Sequence, residues 1–477
     1  MLLSLLLSLP VYAAERPPEV GVTIEPLVAV DIQSVDDNAD TVESWTWIRA
    51  RARQQTDAGQ WFLGIDGEHH VRHGLDTEAI WALRVAESGW SGPVGPTHVR
   101  AGALVERWGK LDFTPVIDVL NPRDLRAGPL ATIEALRVPV PMTTIAWGNN
   151  STRIEATWVP FATGDRISME GSDWSLIKPG MLQQYAANVA DWEGSSSIVL
   201  ADPLDQLAGS LNDLSPSTIR ALGDSVGGAE RPEANGLHGN YGLRFAIEAP
   251  GIDAAVVGAN LLSPVPKTQL SSAMREILVN EELPELAAIG ELLDETPLQA
   301  AWPRSWMAGA EVSTVVGGLG LRSEAGWWSN NVVQSPWFEG STSPMVAAGL
   351  GLDWAHGSTL FMAAEGRWKR WMAPPNQLFL TQAETIEIGG TARVSVANDT
   401  LLIQAASLFD VTHRESMLRP EIRWRVSDPL SLGAGIVMIA SEERAPSTLR
   451  ETMTWSGGPL GLLSDNDCAF FTLQWMQ

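Results

Sequence analysis

Histidine and cysteine are the side chains readiest to hold a metal or attack a carbonyl, and this sequence carries seven histidines and one cysteine. Cys468, standing alone, can form neither an internal disulfide nor a cysteine-based metal cluster. The histidines stand at 69, 70, 73, 98, 238, 356 and 413, and only His69-His70-Val-Arg-His73 forms a group. That spacing admits a metal, but an exposed strand end is the better account of it. There is no Gly-x-Ser-x-Gly elbow, no His-Glu-x-x-His pair and no glycine-rich phosphate loop. The sequence therefore reads as that of a protein that is not an enzyme, with no cofactor and no metal.

Its chemistry is electrostatic instead. Arg49, Arg51, Arg53, Arg100, Arg153, Arg244, Arg322, Arg367, Arg393, Arg423 and Arg425 recur on the polar face of alternating segments. Glu78, Glu106, Glu155, Glu248, Glu324, Glu365, Glu387 and Glu421 share that face. Interleaved guanidinium and carboxylate groups around water would make transverse fields that sort solutes by charge. The residues predicted to set selectivity are Arg49, Arg51, Arg100, Arg153, Arg244, Arg322, Arg393, Arg423 and Arg425, with Glu106, Glu155 and Glu248. The same groups could instead brace a closed interior as a mesh of ion pairs, and both readings stand at this point.

The elements that must position these charges have a period of two. In Tyr241–Glu248, Tyr241, Leu243, Phe245 and Ile247 share one face, while Arg244 and Glu248 share the other. Ile422, Trp424 and Val426 oppose Glu421, Arg423 and Arg425 in the same manner. A period of two means strand. The pattern yields about 18 strands, with 16 as the alternative, near 20–33, 41–53, 59–70, 77–89, 97–110, 139–149, 151–161, 240–250, 252–262, 304–315, 317–329, 343–355, 357–371, 383–396, 399–411, 416–426, 430–441 and 468–477. Even-numbered gaps hold turn formers such as Asn149-Asn-Ser151, Pro250-Gly251 and Gly317-Gly318. Odd-numbered gaps are mostly long: 111–138, 162–239, 263–303, 330–342, 372–382 and 442–467. Sorting of loops by parity, with a polar face backing an apolar one, points to an all-β fold: a transmembrane antiparallel β-barrel with lipid outside and a wet lumen. Its long outer loops read as partly helical over 178–222 and 272–296.

Compartment follows from the remaining composition. Residues 1–14 form a short apolar run ending in small residues, read as a secretory signal, which leaves 15–477 as one barrel domain. No stretch is apolar for the roughly 18 residues that a membrane-spanning helix needs. A net charge of −25 argues against nucleic acid as a partner. Twenty-one tryptophans suit the aromatic girdles of a barrel, whereas three tyrosines are few for that role.

One segment carries a resemblance. Arg100-Ala-Gly102, Arg107-Trp-Gly109, Asp118-Val-Leu-Asn-Pro-Arg-Asp124 and Ala135-Leu-Arg-Val-Pro-Val-Pro141 together resemble the domain-of-unknown-function 1302 group of bacterial outer-membrane proteins. The resemblance implies a porin-like barrel whose first long loop, 111–138, folds inward as a constriction. Asp118, Asn121, Pro122, Arg123 and Asp124 are then the constriction residues, with Asn121-Pro122 suited to a turn. A loop that simply plugs the barrel is the other reading.

The function expected is passive passage of solutes through a Gram-negative outer-membrane channel, with a hydrophobic or lipid-like cargo conceivable because some members of the group stand beside export systems for such compounds. The alternatives are a non-conducting surface barrel with adhesive or cap-like loops, and a soluble periplasmic β-protein. Expected partners are outer-membrane lipids and lipopolysaccharide, the barrel-assembly machinery and small solutes, with an oligomer left open.

Overall fold

A computed structural model describes residues 19–32, 42–73, 78–131, 136–149, 151–168, 174–176, 178, 181, 239–270, 275 and 298–477. The signal-like run and most of the helical readings at 178–222 and 272–296 lie outside the described residues.

The strands are β1 Glu19–Asp31, β2 Val42–Thr56, β3 Gly59–His73, β4 Glu78–Val85, β5 Ser88–Val94, β6 Thr97–Leu104, β7 Val140–Gly148, β8 Thr152–Val159, β9 Asn240–Ala249 and β10 Ile252–Leu262. They continue as β11 Lys267–Leu270, β12 Leu298–Ala301, β13 Arg304–Val316, β14 Leu319–Ser335, β15 Glu339–His356, β16 Leu360–Trp371, β17 Glu384–Val396, β18 Leu401–Asp410, β19 Glu415–Ser427, β20 Leu430–Ala440 and β21 Cys468–Met476. Strands β11 and β12 form a separate hairpin. The other nineteen make one antiparallel sheet, in which β4 and β5 are two halves of a single stave because both pair with β3. The sheet closes where β1 meets β21, with Leu27 opposite Thr472. The result is a closed barrel of 18 staves. Closure removes every free sheet edge except where the wall is broken, which is what a sheet surrounded by hydrocarbon requires.

Alternation sets the two surfaces. Leu243, Phe245 and Ile247 are exposed on the outside of β9, as are Ile422, Trp424 and Val426 on β19. Arg244 and Glu421 point inward to ion-pair partners. Exposed tryptophans gather in two belts: Trp61, Trp147, Trp354 and Trp424 near the short turns, and Trp158 and Trp306 near the long-loop end. Such belts flank the apolar band of membrane barrels.

Two sequence boundaries need correction. The 330–342 segment is not a loop: β14 and β15 run on through it, and a single tight turn at Pro336–Phe338 joins them, with Trp337 at φ 63°. Polar residues Ser329, Asn330 and Asn331 masked the alternation there, and the register shifts between Trp328 and Asn331. Conversely, the strand expected over 97–110 stops at Leu104, so the inward segment begins at Val105, not at 111.

Candidate functional site in the barrel lumen

From Val105 to Ala131, and again over 136–139, the chain is off the wall and inside the barrel. Trp108, Leu111, Val116, Ile117 and Leu120 pack there against inward residues of the wall, including Met142, Val257, Met307 and Trp328. Backbone N–H groups buried in such a place must find acceptors. Two wall carboxylates supply them. Glu324 on β14 accepts from the N–H groups of Lys110, Leu111 (2.6 Å), Val116 (2.8 Å) and Ile117 (3.1 Å). Glu365 on β16 accepts from those of Asp112 (2.9 Å), Phe113 (2.8 Å) and Thr114 (3.0 Å). Pro115 has no N–H, so every N–H from 110 to 117 is committed to one of two carboxylates. The loop carbonyls are held by arginines: Arg322 donates to the Lys110 carbonyl at 2.6 Å, and Arg367 to that of Pro115 at 3.0 Å.

The wall is shaped to receive the loop. Ile117 lies against Gly309, and Leu111 against Gly349 and Gly351, so closely that a Cβ on any of the three would meet the loop side chain at 2.4–2.7 Å; at Gly326 a Cβ would meet Trp328 at 2.6 Å, with Ile117 at 3.4 Å. The Trp-Gly pair acquires a reason too. Gly109 sits at φ +96°, a region side chains avoid, and a Cβ there would strike the Glu324 carboxylate.

Of the expected constriction residues, Asp118, Asn121 and Pro122 tie the loop to itself, whereas Arg123 and Asp124 tie it to neighbouring segments. Asn121 is buried and fully engaged: its oxygen accepts from the Glu106 N–H (2.8 Å), and its amide donates to the carbonyls of Leu104 (2.9 Å) and Val138 (3.0 Å), clamping the loop's two ends together. The Pro122 carbonyl accepts from the Val138 N–H at 2.8 Å. Asp118 pairs with Arg137 of the same loop, through Nε at 2.6 Å. The Arg123 N–H donates to Asp165 at 2.8 Å. Asp124 reaches outward, meeting Arg126 (2.7 Å), Arg84 of the wall (3.2 Å) and Arg166 (3.4 Å). Burial alone would raise the Asp124 carboxyl, but its hydrogen bonds with Arg126 and the nearby guanidinium charges hold it below the usual carboxylate range. Burial pushes Asp165 and Glu106 the other way, above that range.

The predicted selectivity arginines all face the lumen, and most are paired. Arg49 meets Glu25 (3.1 Å), Arg51 meets Asp66 (2.6 Å), Arg100 meets Glu106 (2.7 Å) and Arg153 meets Glu155 (2.6 Å). Arg244 lies between Glu155 (3.3 Å) and Glu311 (2.5 Å), Arg322 between Asp353 (3.0 Å) and Glu365 (3.3 Å), and Arg423 beside Glu421 (2.8 Å). Arg393 rests over the Phe361 ring at 5.6 Å, and Arg425 donates to the Asn398 carbonyl. Neither has a carboxylate partner among the described residues, nor does Glu248 have a basic one. The histidine group does not converge: His69 stacks on Trp81 on the outside, whereas His70 points in toward Glu43 at 3.5 Å.

Two cavities flank the loop. The larger, about 430 Å³, lies between it and β2, β3 and β4 and is lined by Arg49, Arg51, Arg84, Arg126 and Arg166 among others. The smaller, about 210 Å³, lies on the other side, beside Asp118, Arg123 and Arg367. Glu324 and Glu365, the anchors of the loop, stood among the inward glutamates of the sequence but not in its selectivity set. Their partners are main-chain N–H groups, which leave no mark in a sequence.

No family model matches this chain, and no curated protein does. Among solved structures it is similar to Acinetobacter baumannii OccAB4, with a TM-score of 0.47 and 7% identity, over 97% of this chain and 98% of that one. Pseudomonas aeruginosa OccK8 (OprE) gives 0.46 and 9%, over 97% and 98%. Salmonella typhi OmpF in complex with daunomycin gives 0.39 and 7%, over 98% and 99%.

Proposed function

We propose that this protein is a porin-like channel of the bacterial outer membrane, akin to the domain-of-unknown-function 1302 group, through which small solutes pass without chemical change. The observation that carries the reading is the inward loop: it is fastened by Glu324 and Glu365 on one side of a charged lumen and tied to Arg84 of β4 and Arg419 of β19 elsewhere, a geometry that narrows the passage. Charge and aperture would select the solute, so no catalytic step is required. The apolar outer surface between two tryptophan belts supports residence among outer-membrane lipids and lipopolysaccharide, with insertion by the barrel-assembly machinery.

A second reading has its own support. Leu130, Trp174 and Leu460, from three different loops, pack with Leu27, Trp45 and Phe470 of the wall, closing one quadrant toward the long-loop end. A barrel closed across its whole mouth would be a non-conducting surface protein. Reconstitution of the refolded chain into planar bilayers separates the two: discrete, stable current steps are expected, and a heat-modifiable, folded barrel that passes no current would refute the channel.

A further inference from the structure

Among the described residues the wall is broken beside β4, and the larger cavity lies behind the break. Strand β4 pairs with β3 along its length, from Glu78 opposite Arg72 to Val85 opposite Ile65. On its other side the next stave, β6, pairs with β5 and β7 and not with β4, and the chain has left the wall by Val105. Among the described residues, therefore, no backbone bonds to the far edge of β4. Where β4 gives way to β5, side chains mend the ladder. Ser88 Oγ accepts from the Gly64 N–H at 2.9 Å and donates to its carbonyl at 3.1 Å, and Glu87 accepts from the Val105 N–H at 3.1 Å.

Outside this notch stand Trp81, Leu83 and Val85, which are 71%, 70% and 62% exposed. Inside it, Arg84, Val85 and Ala86 line the 430 Å³ cavity, so Val85 faces both the surroundings and the interior. The cavity holds Trp45, Trp47 and Val138 as apolar lining. Within its charged lining, the guanidinium groups of Arg84, Arg126 and Arg166 cluster on two carboxylates, Glu68 and Asp124, at 2.7–3.4 Å, with Arg49, Arg51, Arg137, Asp66 and Glu87 around them. That cluster carries one uncompensated positive charge. An open strand edge facing hydrocarbon is costly unless polar groups or water line it.

We propose that the notch beside β4 is a lateral portal, through which a long-chain carboxylate of the fatty-acid type enters the cavity from the membrane. Its chain lies along Trp81, Leu83 and Val85, and its headgroup rests on Arg84, Arg126 and Arg166. This inference rests on the membrane placement proposed above and names a cargo class for it.

The test uses the full chain in lipid nanodiscs, titrated with a dansylated undecanoic acid and with the matching dansylated undecanol. The acid binds saturably, and the double variant Arg84→Gln/Arg126→Gln weakens it at least about tenfold, as loss of charge-assisted hydrogen bonds implies. The alcohol shows no such dependence. Should that variant fail the heat-modifiability check for folding, Arg166→Gln, which loses only a 3.4 Å contact, takes its place. A benzophenone side chain at position 83 crosslinks to the acid; one at 350, where Leu350 is equally exposed nearly opposite around the barrel, does not. Equal partition of acid and alcohol, unchanged acid affinity in a folded arginine variant, or equal labelling from both positions each overturns the portal. Ion currents from the same preparations are read separately. Currents without acid binding refute the portal alone, whereas acid binding without currents refutes the channel and leaves the portal standing.

Discussion

Replacing Glu324 by glutamine isolates what holds the inward loop. Oε1 of Glu324 accepts from Lys110 and Leu111, and Oε2 from Val116 and Ile117. Glutamine keeps one oxygen and turns the other into an NH₂ group, so two of the four bonds vanish and two donors then face a donor. At 1.5–3 kcal/mol for a hydrogen bond to a charged group, the loss is about 3–6 kcal/mol, an upper bound because lumen water can solvate part of the freed backbone. Glu365→Gln removes one or two of three such bonds on the neighbouring stretch. Neither substitution touches the interstrand ladder, so the double variant Glu324→Gln/Glu365→Gln releases the loop and leaves the barrel closed. Limited trypsin digestion is the direct assay: cleavage after Arg107 or Lys110 is expected in the folded double variant and not in the parent. Planar-bilayer recordings should show a larger and noisier conductance. A folded double variant with an uncut loop and parental conductance would refute the reasoning, because the loop would then be held by something other than these carboxylates.

Other expectations follow from the same geometry. Arg393→Glu with Arg425→Glu should shift the reversal potential toward cations without unfolding, since neither residue has a carboxylate partner among the described residues. Arg244→Gln, by contrast, should destabilise the barrel in urea titrations, because it takes from buried Glu311 its guanidinium partner, whereas Glu155 keeps Arg153. Gly351→Ala presses on Leu111 and should cost about 1–3 kcal/mol of loop docking, read as faster trypsin cleavage. Burial holds the Glu106 and Asp165 carboxyls above their usual range, whereas Asp124 is held below it. As pH falls from neutral, Glu106 and Asp165 lose their negative charge before Asp124 does, so the lumen gains positive charge and reversal potentials should move toward anion selectivity. Leu243→Arg, on the exposed outer face of β9, should destabilise the barrel by about 2–4 kcal/mol in a bilayer if that position lies near the midplane, as a shift in the urea midpoint would show.

The wall was legible because membrane strands write their two faces into the sequence. Tyr241–Glu248 and Glu421–Val426 show opposite faces residue by residue, and all eighteen staves fall where alternation placed them. The misplaced boundaries are places where alternation carries no information: Asn330 and Asn331 are polar on both faces of an extended hairpin, and Val105-Glu-Arg-Trp-Gly-Lys110 has no period of two to mark where the chain leaves the wall. In the site, the arginines were legible as inward, but their partners were not. Asn121 looked like a turn residue and proved to be a clamp, because its hydrogen bonds run to carbonyls of Leu104 and Val138 that any sequence would offer. The docking seats of Gly309, Gly326, Gly349 and Gly351 were equally silent, since a missing side chain has no pattern of its own.

The fastening of the loop also dictates an order of events. Its donors lie at 110–117 and its acceptors at 324 and 365, more than two hundred residues further along the chain. Whatever the order in which the strands assemble, this segment stays untethered until β14 and β16 have taken their places. Lesions in those two late strands should accordingly surface as a leaky envelope, not as missing protein.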